Sequence, residues 1–128
     1  MSEIFPDPIN PADYDTQLTE KKDRLNTLFA EFTPPELEAY DSPRSHYRLR
    51  AEFRLWHEGE RCFYAMFEPG NRSKAYEVRE FNIASTLIND LMVRLLAEIH
   101  ASELLRRSLF QVEFLTTLSG DALITIIY

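Results

Sequence analysis

Cysteine, glycine and long apolar runs are what this sequence has least of. A single cysteine, Cys62, in 128 residues excludes an intramolecular disulfide and any thiolate cluster that would hold zinc or an iron–sulfur centre. A reducing compartment is expected. No metal is expected either, because His46 and His57 stand apart without a paired cysteine and His100 falls at the end of a helical pattern. Three glycines cannot build a loop that cradles phosphates, and the acids form no motif for paired acid–base work. No basic segment followed by an apolar run opens the sequence, and no apolar stretch approaches membrane-spanning length. The expectation is a cytoplasmic protein that makes no membrane contact.

What the sequence does have is enough apolar material for a core, 45% of residues, with 12% aromatic. Its net charge of -7 is unevenly placed: residues 1–41 hold ten acids and three bases, whereas residues 42–128 hold eleven of each. The acidity therefore belongs to an N-terminal arm, 1–41, and the local field decides what region 42–128 can bind. Within the arm, Pro6, Pro8 and Pro11 delay regular structure until Asn10 caps a helix with Pro11 at its first position. Tyr14, Leu18, Leu25, Leu28, Phe29 and Phe32 then share one helical face, and Thr33, Pro34 and Pro35 stop it.

From Tyr47 the period becomes two. Tyr47, Leu49, Ala51, Phe53 and Leu55 alternate with Arg48, Arg50, Glu52, Arg54 and Trp56, which predicts a strand with one buried face and all three arginines on the other. After a turn at 57–60, CFYAMF is apolar at both parities and suits a strand buried on two sides. Pro69, Gly70 and Asn71 predict a turn, and 75–79 a weaker strand. Leu87, Ile88, Leu91, Met92, Leu95, Leu96 and Ile99 make a wide helical stripe with Asn82 or Ser85 as its cap. LFQVEFLTTL, a turn at 119–121 and ALITIIY return the chain to strands. The fold class is α+β, a mainly antiparallel sheet packed with helices. ALITIIY carries no turn signal or polar tail, so the sequence is expected to be part of a longer chain.

Taken alone, each chemical candidate has a structural reading. Cys62 lies in an apolar strand and reads as a small buried hydrophobe. Phe110 alternates with Val112 and Phe114 as a core face does, and the arginine face is either a solvated face partly neutralised by Glu52 or a phosphate-binding one.

Four segments carry a resemblance beyond these readings: YDTQLTEKKDRLNTLF, SPRSHYRLRAEFRLWHEGE, ASTLINDLM and FQVEFLTTLSGDALITIIY. In this order and spacing, from about Tyr14 to Tyr128, the sequence resembles the N-terminal part of the bacterial tRNA (uracil-5-)-methyltransferase family. The resemblance implies an enzyme that methylates C5 of the T-loop uridine of tRNA with S-adenosylmethionine. A cysteine thiolate adds to C6 of a flipped-out uracil, and a carboxylate removes the C5 proton after methyl transfer. It also implies that the Rossmann-like domain, the nucleophilic cysteine and the base glutamate lie beyond residue 128, so Cys62 is not the nucleophile. No catalytic or cofactor-binding residue is expected in this chain, which alone should be inactive. The implied partner is the T-arm of tRNA, with no DNA expected. Arg48, Arg50 and Arg54 would meet phosphates, and Phe110 would stack inside the loop. An interaction module docking through the acidic arm without RNA is the alternative, and a complete small enzyme is disfavoured for want of a catalytic cluster.

Overall fold

In the computed structural model, which describes residues 2–128, β1 (Arg50–Glu58), β2 (Arg61–Glu68), β3 (Asn71–Glu77), β4 (Gln111–Thr116) and β5 (Ala122–Ile127) form one antiparallel sheet in the order β3-β2-β1-β4-β5. The α+β expectation holds. Helix α1 spans Tyr14–Phe29, α2 spans Thr86–Ala101, and a single turn, α3, spans Glu103–Arg106.

One face of the sheet is buried because the alternating residues of β1 and β4 and the even positions of β2 all point under α2. Phe53 is at the centre, its ring within 6.3 Å of the rings of Tyr64, Phe81 and Phe114. Ile88, Met92 and Ile99 of α2 close over these side chains, and Tyr64 donates its hydroxyl to the Met92 carbonyl at 2.8 Å. Without that bond a buried phenol would lose its water with nothing in return. β2 is buried on both sides as its composition predicts, with Cys62 and Tyr64 toward α2 and Phe63 and Ala65 on the reverse. There the Arg61 guanidinium lies over the Phe63 ring and Trp56 meets Phe67 edge-on.

Ser85 is the cap of α2 and Asn82 is not. Its hydroxyl accepts from the Ile88 N–H and pairs with the Thr116 hydroxyl at 3.0 Å, joining the helix start to the end of β4. Asn89, one turn into the helix, donates to the carbonyls of Phe81, Ala84 and Ser85 and accepts from the Phe81 N–H, which fixes the loop before α2.

Three boundaries differ from the sequence reading. β1 starts at Arg50 rather than Tyr47, because residues 46–48 run beside the loop before α2 instead: His46 N–H donates to Asn82, Arg48 N–H to Ile83, and the Arg48 carbonyl accepts from Ser85. A bend at Leu49 separates this stretch from the strand, so Arg48 lies outside the alternation that places Arg50 and Arg54. β3 lies at Asn71–Glu77, earlier than 75–79, and β4 is trimmed to Gln111–Thr116.

The arm attaches along the edge of the sheet and through the start of its helix, where the Ile9 carbonyl accepts from Asn82 and Tyr14 and Asp15 meet Ser42 and Arg44. Ile4 bridges Glu77 in parallel, and α1 follows a turn of 3₁₀ helix, Pro11–Asp13, capped by Asn10 as predicted. No α1 residue is buried: Leu25, Leu28 and Phe29 are all exposed, and so is Phe32 in the turn that follows.

The packing around Phe53 makes it the side chain whose loss costs most. Phe53→Ala should lower stability by about 3–5 kcal/mol in urea titration, as expected for a fully buried ring whose neighbours cannot collapse. A loss below about 1 kcal/mol would place the centre of the core elsewhere.

Glu77 generates a pH prediction. Burial pushes its carboxyl up, but hydrogen bonds from Arg79 at 3.1 Å and Arg61 at 2.6 Å outweigh burial and hold it below the usual carboxylate range. A depressed folded value means that its contribution is present above the unfolded carboxylate range and is lost as pH falls through the folded value. Stability should therefore drop from about pH 5 downward, and less so in Glu77→Gln. Equal acid sensitivity in both proteins would remove Glu77 from the account.

Candidate nucleic-acid interface

The four residues singled out by sequence fall into different environments. Arg50 and Arg54 leave β1 on the face away from α2, since Ala51, Phe53 and Leu55 between and beside them are buried. Arg50 is exposed and lies 3.5 Å from Glu52 and 3.8 Å from Glu113. Those two carboxylates sit directly opposite each other across β1 and β4, an arrangement that repels, so Arg50 neutralises a like-charge pair. Arg48 is exposed and forms no ion pair among the described residues; its backbone is held by Ile83 and Ser85.

Arg54 is different. Its guanidinium carbon is 3.7 Å from the centroid of the Phe110 ring, a stacked cation–π contact, and no acid lies within ion-pair distance among the described residues. Its Nε is buried without a hydrogen-bond partner. Stacking leaves the outer edge of the planar guanidinium, with its remaining donors, available for a bidentate anion such as a phosphate.

Phe110 is 45% exposed, although its parity matches the buried Val112 and Phe114. Leu109, which follows the left-handed Ser108 at φ 63°, is the buried residue at this strand entrance, and the in–out alternation is broken between Phe110 and Val112. The Phe110 N–H donates to Ile127 and its carbonyl accepts from Leu55, so the backbone is held from both sides while the ring projects. An exposed aromatic on a fixed backbone has the geometry to accept a flat partner. Structure therefore decides against the core reading of Phe110. The neighbouring cations divide similarly: Arg106 turns back to cap the carbonyls of His100 and Ile99, and Arg107 is exposed.

Sequence reasoning missed what pairs with what. Nothing in the spacing of Arg54 and Phe110 joins them; they meet because β4 adds beside β1 with Arg54 opposite Gln111. The order of β1 and β4 in the sheet was the only signal, and it is a tertiary fact.

The remaining chemical groups serve the fold. His57 and His100 bond the carbonyls of Leu109 and Cys62, at 2.7 Å and 3.0 Å, and His46 bonds that of Ala84 at 2.8 Å. Burial pushes the Cys62 thiol up against the opposing pull of Arg106 and Arg61, so the thiolate is disfavoured and the group is a packed hydrophobe, as its strand setting implied. No helix among the described residues is long and apolar enough to cross a membrane.

The family model described as tRNA (Uracil-5-)-methyltransferase matches residues 13–128. The chain belongs to the tRNA (uracil-5-)-methyltransferase family. Among its relatives, proteins named tRNA/tmRNA (uracil-C(5))-methyltransferase are 59% identical over 94% of the chain in Stutzerimonas stutzeri, 54% over 100% in Pseudomonas entomophila and 52% over 94% in Vibrio vulnificus. These matches take in 33%, 34% and 32% of the relatives, so the chain spans about a third of the length of the family members it matches.

One prediction separates a projecting ring from a core ring. Phe110→Ala should cost less than about 1 kcal/mol of stability, against about 3–5 kcal/mol for a buried phenylalanine. A urea midpoint that falls as far as that of Phe53→Ala would return Phe110 to the core.

Proposed function

We propose that this chain is the tRNA-binding portion of a cytoplasmic, S-adenosylmethionine-dependent enzyme that methylates C5 of the T-loop uridine. Region 42–128 holds the RNA, and the arm 1–41 lies outside that contact. The observation that carries this reading is the Arg54–Phe110 stack, a free cation and an exposed ring presented together on a sheet face.

A base inside a folded loop reaches a catalytic pocket only after it leaves its stack, so the enzyme must hold the backbone and fill the vacancy. Phe110 supplies a flat apolar surface to take the place of a displaced neighbour. Arg54, oriented by that same ring, offers its donor edge to a nearby phosphate. Arg48 adds positive charge without an acidic partner among the described residues, while Arg50 contributes less because Glu52 and Glu113 already neutralise it.

Among the described residues the glycines are not arranged as a turn that would hold S-adenosylmethionine. Gly59, Gly70 and Gly120 occupy hairpin tips with φ of 63°, 81° and 92°, and the space around each is open rather than shaped against a ligand. The cofactor and the nucleophile therefore belong, in this proposal, to the part of the family protein outside the chain. The chain by itself should bind RNA and transfer no methyl group.

The test is the salt dependence of binding to a T-arm hairpin RNA. Each neutralised phosphate contributes about 0.7 to 0.9 to the slope of log affinity against log salt. Arg54→Ala should flatten that slope by about one such increment, Arg50→Ala by less. Phe110→Ala should weaken binding by about 1–3 kcal/mol at any salt. Slopes and affinities that stay unchanged in both Arg54→Ala and Phe110→Ala would return this face to ordinary solvated surface.

A further inference from the structure

Three hydrogen bonds hold the chain where Phe110 stands, and one of them comes from a side chain. The register of β1 with β4 ends at Arg54 and Gln111. Just before it, the Phe110 carbonyl accepts from the Leu55 N–H at 2.9 Å, and the Phe110 N–H donates to the Ile127 carbonyl of β5 at 2.8 Å. The third bond is to the Leu109 carbonyl, and its donor is the imidazole of His57 in β1, with Nε2 at 2.7 Å. A carbonyl only accepts, so Nε2 carries the proton, as it does both in one neutral tautomer and in the imidazolium. His46 and His100 also bond carbonyls, but those of Ala84 and Cys62, neither of them beside Phe110.

The Leu109 carbonyl and the Phe110 N–H belong to one peptide group, whose atoms are coplanar. β5 grips that plane by its N–H, and His57 grips it by its carbonyl on the opposite side. The next peptide plane is tied to Leu55, so both planes flanking Phe110 are held and the direction of its Cα–Cβ bond is set. Packing does not aim the ring by itself, since the side chain is only partly covered. We propose that His57 is a positioning residue for this surface: by holding the Leu109–Phe110 peptide it aims the Phe110 ring over the Arg54 guanidinium and toward the RNA base, without touching the RNA. The RNA half of this role rests on the function proposed above, whereas the aiming of the ring is a property of the free protein.

His57→Ala and His57→Gln test it together, because a glutamine amide can donate to the Leu109 carbonyl and alanine cannot. In the free protein, proton NMR reads the ring directly: the Arg54 side-chain protons beneath Phe110 should carry an upfield ring-current shift in wild type. That shift should collapse in His57→Ala and return in His57→Gln. Affinity for the T-arm hairpin RNA should fall in His57→Ala by roughly two- to tenfold, the worth of one net hydrogen bond, and be rescued in His57→Gln. In a Phe110→Ala background the same change should cost nothing further, since there is no ring left to aim. The proposal is overturned if the Arg54 shifts are the same in wild type and His57→Ala, even where stability falls, because His57 would then support the fold alone. It is overturned equally if His57→Ala weakens RNA binding as much without Phe110 as with it. Phe110→Ala binding RNA as wild type does would defeat the RNA reading instead, and the Arg54 shifts would still decide whether His57 aims the ring.

Discussion

Packing of α2 onto one face of the sheet is the constraint from which the rest of this molecule follows. The helix takes up the inward side chains of β1, β2 and β4, so the positions between them in β1 must face the other way. Once Phe53 and Leu55 are committed to the core, Arg54 has no choice of face, and β4 must add in the register that buries Val112 and Phe114. The polar bonds at the helix start reinforce this docking. Ser85 and Thr116 are buried hydroxyls that satisfy each other, and Thr116 also donates to the Leu49 carbonyl. Removing either hydroxyl would cost its partner one bond in a place water does not reach, leaving Ser85 only the Ile88 N–H or Thr116 only the Leu49 carbonyl.

Charge on the opposite face is arranged by the same register. Glu52 and Glu113 are brought together by strand pairing, and Arg50 stands where it relieves their repulsion. Its charge is largely spent within the sheet. Arg54 meets no acid among the described residues and lies instead on an aromatic ring, which attracts a cation without cancelling its charge. Two arginines of identical parity in one strand thus differ in what they can offer a polyanion. Residue counting shows three cations here, but the local geometry leaves Arg54 as the one joined to a stacking surface.

Much of the sheet was legible because a half-buried strand and a doubly buried one leave distinct patterns. The alternation in β1, the two-sided apolarity of β2 and the stripe of α2 each correspond to a solvent boundary that the sequence has to respect. Arg48 was misplaced because alternation continues through Leu49 while the backbone does not: residues 46–48 find their partners in the loop before α2, a contact no local pattern encodes. Phe110 was ambiguous for a related reason. Parity joined it to Val112 and Phe114, yet Leu109 is buried and the Phe110 ring is not, after a left-handed Ser108 that carries no glycine or asparagine signature.

Phe110 sits at a strand entrance rather than inside the sheet. Within β4 a phenylalanine at an inward position packs, and one at an outward position competes with its strand neighbours for space. At position 110 the backbone is already held by β1 and β5, yet the side chain has left the alternation. The ring therefore gains the rigidity of the sheet without being buried by it, and Arg54 covers one of its faces. A ring that touches a cation and is still partly exposed can also take a flat partner, since stacking requires accessible surface and a backbone that does not retreat from it.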